Sequence, residues 1–92
     1  MNNLNSVVLE GKLIEIEKED NSVLLQIETV RFYRENEESV KEICHFIIVL
    51  YSRLADYSSY CKIGDLLRIV GRLKETDNSV VVIAEHVERK GL

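Results

Sequence analysis

Residues 43–73, ICHFIIVLYSRLADYSSYCKIGDLLRIVGRL, contain the pattern that decides the fold. Residues 43–52 are almost all apolar, β-branched or aromatic, which predicts a strand covered on both faces. Residues 53–60 place apolar and tyrosine side chains at helical spacing. Gly64 then marks a turn, and residues 66–75 predict another strand. This succession of strand, short helix, turn and strand is typical of a small closed barrel with one end covered by a helix.

Three further strands are predicted on either side of this stretch. Residues 6–17 form the first strand, and its alternation changes phase just after Gly11, which predicts a bulge. Residues 23–31 form the second strand, and residues 79–88 the fifth. We interpret residues 32–42, FYRENEESVKE, as a loop because they are charged and sustain no period.

The order of elements predicts an all-β fold. Three strands, one short helix and two strands are the order of the five-stranded oligonucleotide/oligosaccharide-binding barrel (OB-fold), with the helix between strands 3 and 4. A different small β-barrel with an incidental helix is the alternative. The 92 residues leave room for one core, so we expect a single domain over residues 1–92.

The composition bounds the compartment and the partners. No run approaches the ~20 apolar residues of a membrane span, and no secretion signal is recognisable, so we expect a cytoplasmic protein without membrane attachment. Cys44 and Cys61 form no paired motif and are expected to be reduced core residues. The net charge of −4 means that any nucleic-acid groove has to be basic locally.

Motifs for catalysis and metal binding are missing from the sequence. There is no glycine-rich phosphate loop and no G-x-S-x-G motif. His45 and His86 lie on different predicted strands without metal-type spacing. The carboxylates fall mainly at strand ends, in turns and in the charged segment, where solvent reaches them. We therefore expect no enzymatic activity, no cofactor and no metal.

Short motifs resemble the bacterial single-stranded-DNA-binding protein family. Residues 46–55, FIIVLYSRLA, resemble its third strand and helix start, and residues 70–73, VGRL, its fourth strand. Residues 7–13, VVLEGKL, resemble its first strand, and residues 84–87, AEHV, its last. The motifs occur in the family's order over nearly the whole chain. The chain departs from the family in having no tryptophan and only a tight turn at residues 76–79.

The resemblance implies a protein that binds single-stranded DNA in replication, recombination or repair. Members act as homo-oligomers, mostly tetramers, some with replication or repair proteins as partners. Bases stack on aromatic rings and phosphates contact cations. The family's positions implicate Tyr33, His45 and Tyr51 in stacking and Arg53 and Lys74 in phosphate contacts. We predict that the phosphates also follow four further cations, Lys12, Arg31, Arg34 and Arg72.

Other interpretations stay open. Tyr33 and Tyr51 are also consistent with packing against the barrel, and the cations with ordinary solvated charges. Tyr57 and Tyr60, at helical spacing, favour a plug for the barrel end. The chain also resembles primosomal replication protein N, a short dimeric relative. That likeness implies a protein-interaction module of a primosome-type complex with weak nucleic-acid binding, and nothing in the sequence distinguishes DNA from RNA.

Overall fold

A computed structural model describes residues 2–90, which form a closed five-stranded barrel. Its strands are β1 (Val7–Lys18), β2 (Ser22–Glu35), β3 (Glu38–Tyr51), β4 (Leu66–Glu75) and β5 (Val80–Lys90). Between β3 and β4 lie a helix, α1 (Ser52–Tyr57), and a 3₁₀ turn (Ser58–Tyr60). The order around the barrel is β1-β2-β3-β5-β4, with β3 and β5 parallel and the other neighbours antiparallel. This architecture confirms the predicted OB-fold.

Alternate residues of each strand build the core. Leu13 of β1, Leu25 and Ile27 of β2, and Ile48 and Leu50 of β3 are fully buried. Because successive side chains of a strand point to opposite faces, the residues between them face outward. The outward side of β2 and β3 is therefore defined by the same alternation that fills the core.

The predicted bulge in β1 is confirmed. The pairing of β1 with β2 shifts register between Leu13 and Glu15, just after the change of phase in the sequence. Gly11 brings the two strands into close approach, because a Cβ atom there would press on the backbone carbonyl oxygen of Glu28. The small residue and the bulge together allow β1 to bend from its pairing with β4 into its pairing with β2.

The helix covers one end of the barrel, as predicted. Leu54 and Tyr57 pack against the core. The assignment of Tyr60 to this plug is wrong, since its side chain is 66% exposed. The helical segment ends at Tyr60, and the next residue, Cys61, enters the core instead. No helix within residues 2–90 is long and apolar enough to cross a membrane.

Both cysteines are free thiols, but they differ in burial. Cys61 is buried in the core, as expected. Cys44 is only half-buried. The expectation of a core residue is wrong for Cys44, because this part of β3 extends past the stretch that pairs with β5 and so past the closed part of the barrel.

Residues 32–42 do not form the expected loop. β2 and β3 continue as a regular two-stranded hairpin, and in residues 29–44, here named the arm, each strand pairs only with the other. The arm ends in a two-residue turn, with φ of 51° at Asn36 and 68° at Glu37, as in a type I′ turn. The prediction failed because both faces of the arm meet solvent, so its sequence has no apolar period to reveal a strand.

Candidate nucleic-acid interface

The outward side of the barrel carries an apolar surface with cations at its edge. The strand registers place one residue from each of β2, β3, β5 and β4 side by side: Leu24, Val49, Ile83 and Arg72. Val49 and Ile83 are only 7% and 6% exposed although they lie outside the barrel core. Lys74 follows Arg72 on the same side of β4 and is exposed. In an OB-fold, the face of strands 2 and 3 is the usual surface for oligonucleotides.

A second outward row contains two of the predicted residues and a carboxylate. Lys12 of β1, Glu28 of β2 and His45 of β3 are neighbours in register. The Nε2 atom of His45 lies 3.0 Å from Oε2 of Glu28. The His45 side chain remains 46% exposed, so its ring is accessible while its edge is held by the carboxylate. Glu28 also lowers the positive potential around Lys12.

The arm presents an exposed aromatic ring next to a cation. Phe32 is 67% exposed, and its cross-strand partner Lys41 places Nζ 5.9 Å from the centre of the ring. Such a distance allows a cation–π contact. Phe32 and Lys41 are absent from the site residues predicted from the sequence, because the charged composition of this segment predicts a loop. Their opposition could be found only by pairing Phe32 with Lys41 across a hairpin centred on residues 36 and 37.

The opposite face of the arm carries a second pair of this kind. Arg31 and Tyr33 are two residues apart on β2, and Cζ of Arg31 lies 5.3 Å from the centre of the Tyr33 ring. Tyr33 is half-buried. The next predicted cation, Arg34, donates from Nη2 to the carbonyl oxygen of Glu37 at 2.9 Å. Arg34 therefore braces the turn of the arm in this structure.

Tyr51 and Arg53 lie at the other end of β3. Tyr51 faces outward, pairs with Ser22 and is 46% exposed. The chain then turns through Ser52, at a positive φ of 53°, into α1. Arg53 lines a groove of about 840 Å³ between the β1–β2 turn and the helical segment. The structure thus separates Arg53 from Lys12, His45, Arg72 and Lys74, which share the barrel's outward side.

Carboxylates border the outward side along β1. Glu15 and Glu17 line a shallow depression together with Leu24, Gln26 and Ile47. The interface is therefore not uniformly basic, and its cations are concentrated on β4 and on the arm. Within residues 2–90, no three or more His, Cys, Asp or Glu side chains are grouped to hold a metal ion.

Comparison with known proteins finds likeness at the level of structure. Neither protein-family models nor curated proteins give a match. The protein PriB from Ralstonia solanacearum has 16% identity and a TM-score of 0.82, covering 97% of this chain and 100% of that one. The SSB of Plasmodium falciparum, solved in complex with ssDNA, has 19% identity and a TM-score of 0.82, covering 99% and 98%. A small single-stranded DNA-binding protein from Streptomyces coelicolor has 21% identity and a TM-score of 0.74, covering 98% and 96%. The shared property is the OB-fold.

Proposed function

We propose that this protein binds single-stranded DNA without catalysing a reaction. The proposal rests on the arm of the OB-fold barrel, where each face sets an aromatic ring against a cation: Phe32 with Lys41, and Tyr33 with Arg31. A ring and a cation side by side match the two parts of a nucleotide, the flat base and the charged phosphate. The likeness to an SSB solved with ssDNA supports this proposal.

The single-stranded DNA is proposed to run along the outward side of β3, between the arm and Tyr51. From Lys41 to Tyr51, β3 advances by ten residue-to-residue steps, or roughly 33 Å at ~3.3 Å per step. Bases would stack on Phe32, His45 and Tyr51. The proposed phosphate contacts beside this path are Lys12, Arg72 and Lys74, with Lys41 on the arm and Arg53 beyond Tyr51. Arg31 lies on the opposite face of the arm, beside Tyr33. The carboxylates of β1 would keep the phosphates toward β4.

Fluorescence anisotropy of a labelled oligo-dT tests the proposal. Phe32→Ala should weaken binding by about 1–3 kcal/mol, the contribution of one stacked base. The variant should stay folded, because the Phe32 side chain is already 67% exposed. Ile63→Ala is the matched control, since Ile63 is 59% exposed and lies in the turn before β4. Equal affinities of the two variants would refute the assigned surface, and no binding at low salt would refute the function.

We propose that the protein acts as a homo-oligomer, a tetramer or a dimer, in bacterial DNA replication, recombination or repair in the cytoplasm. Val8 and Leu66 on the outward sides of β1 and β4 are 63% and 42% exposed. Burial of such side chains between copies would stabilise a symmetric assembly. Sedimentation equilibrium over a range of protein concentrations tests this, and a monomer at all concentrations would contradict it.

One observation favours a second function, an interaction module of a primosome-type replication complex. The β4–β5 connection is only a tight turn, in which the amide of Thr76 donates to the carbonyl oxygen of Ser79 at 2.7 Å. It offers no long hairpin around which a strand could wrap, and PriB is among the structural neighbours. Salt distinguishes the two functions. Oligonucleotide binding that persists near physiological salt favours the first, and binding confined to low salt favours the second.

A further inference from the structure

The groove of about 840 Å³ lies beyond the face assigned to DNA above. One wall is the β1–β2 turn, residues 18–23, and the other is the helical segment, residues 52–60. The groove begins where the outward face of β3 ends, because Ser22, the register partner of Tyr51, lines it. Single-stranded DNA that passes Tyr51 would therefore enter this groove without crossing another helix or β-strand.

An exposed aromatic ring lies in the groove. Tyr60 lines it and is 66% exposed. Its ring centre lies 6.0 Å from that of Tyr57, with the planes tilted by 50°. Because Tyr57 packs against the core, the pair holds the Tyr60 ring on a fixed support. A fixed, exposed ring is what base stacking requires.

Two cations accompany this ring. Lys18 lies on the wall formed by the β1–β2 turn, and Arg53 lies on the helical wall. Neither forms an ion pair with another residue in the part of the chain that the structure describes. Both charges are therefore available to a phosphate. The same ring-and-cation chemistry that marks the arm occurs here at the opposite end of β3.

The turn into the groove is strained. Ser52 has a φ of 53°, in the left-handed region that a serine rarely adopts. This conformation sends the chain from β3 directly into α1, leaving Tyr51 on the outward face and placing Arg53 in the groove. Backbone strain of this kind concentrates at binding sites, where the surrounding structure maintains it.

Three carboxylates also line the groove: Glu19, Asp20 and Asp56. They outnumber the two cations, so a long run of phosphates would be repelled. The lining therefore fits one nucleotide end better than a continuous strand. The same carboxylates would attract a basic peptide, which is therefore a competing candidate for the groove.

We infer that this groove is a nucleotide subsite at the end of the single-strand path, with a base stacked on Tyr60 and a phosphate held by Lys18 and Arg53. The inference rests on the proposed DNA-binding function, because the path reaches the groove over Tyr51. The continuity with Tyr51 and the exposed ring favour a nucleotide over a peptide.

A length series of labelled oligo-dT tests the subsite in the full chain. The shortest oligonucleotide that the native protein binds should fill the outward face alone, and longer ones should reach the groove. Tyr60→Ala should weaken binding of the longer ones by about 5- to 150-fold and leave the shortest unchanged. Tyr60→Phe, which keeps the ring, should restore the native affinity. Thermal unfolding of both variants checks that the fold is intact.

Charge removal distinguishes a nucleotide from a basic peptide. Asp56→Asn should tighten binding of the longer oligonucleotides, because it removes a charge that repels the phosphate, and Arg53→Gln should weaken it. Unchanged binding of long oligonucleotides by Tyr60→Ala and Asp56→Asn would overturn the subsite. In that case binding of the shortest oligonucleotide would still uphold the DNA-binding function, whereas no binding at any length would overturn both.

Discussion

Gly11 has no room for a side chain. A Cβ atom at this position would press on the carbonyl oxygen of Glu28 and lie 2.7 Å from Cγ2 of Ile27. The first obstacle is backbone and cannot move without disturbing β2. We expect Gly11→Ala to lower the free energy of unfolding by about 1–3 kcal/mol, measured by urea denaturation. Glu17→Ala, at an exposed position of the same strand, should change it by less than about 0.5 kcal/mol; similar losses in the two variants would contradict this.

The thiol of Cys61 links stability to alkaline pH. Burial raises the pKa of Cys61 above its ordinary value of 9.0, Arg89 partly lowers it, and Asp65 adds to the increase. The folded chain thus retains a proton that the unfolded chain releases. The resulting stabilisation is complete below pH 9.0 and is lost as the pH rises through the folded-state pKa.

Urea denaturation on both sides of pH 9.0 measures this loss. We expect the free energy of unfolding to fall more steeply with rising pH in the native protein than in Cys61→Ala, which lacks the thiol. The comparison cancels the contribution of tyrosine and lysine side chains, which titrate in the same range. Parallel pH profiles of the two proteins would show that the thiol is not responsible.

At the scale of elements, burial decided what the sequence could predict. The barrel part of β2 could be predicted because Val23, Leu25 and Ile27 face the core and alternate with less buried residues. On the arm, pairs such as Phe32 with Lys41 mix apolar and charged side chains. Without a buried face, alternation leaves no trace in hydrophobicity. The turn at Asn36 and Glu37 lacks the Asn-Gly pair that marks a type I′ hairpin.

A single substitution should stabilise the turn of the arm. Glu37 has a φ of 68°, which costs a residue with a side chain roughly 1 kcal/mol. Glu37→Gly should remove this cost and keep the bond from Arg34, which goes to the backbone carbonyl. We expect slower hydrogen exchange of the arm amides, measured by NMR. Glu37→Gln is the control, because it removes the charge but keeps the strain; equal protection in both would exclude strain relief.

For the whole molecule, the net charge of −4 limits how strongly phosphates are held. If all six cations predicted from the sequence contacted phosphate, the log–log dependence of affinity on salt would have a slope of about −4. Arg34 is bonded to the turn of the arm. An oligo-dT confined to the outward face meets four of the proposed contacts, Lys12, Lys41, Arg72 and Lys74, so we expect an anisotropy titration with it to give a slope of about −3. A slope of about −4 or steeper would mean that further cations, Arg34 among them, join the phosphate contacts.

The candidate site could be predicted only in part. The resemblance to a family indicated Tyr51 and Lys74, and both are exposed. It could not indicate that His45 is held by Glu28, because these residues are 17 positions apart and meet only through the register of β2 and β3. Which charged residues meet across a sheet depends on that register, and a shift of one residue would separate them.

The parallel contact between β3 and β5 has a consequence for the time course of folding. It consists of two register pairs, Ile48 with Val82 and Val49 with Ile83. The three hairpins join strands adjacent in sequence, so they can form early at a small cost in loop entropy. The β1–β4 contact and the parallel seam both need the two halves of the chain in place, so both form after the hairpins, and the seam, with two register pairs against six, is the weaker closure of the cylinder. We expect its rupture to govern how long a folded molecule survives before it unfolds.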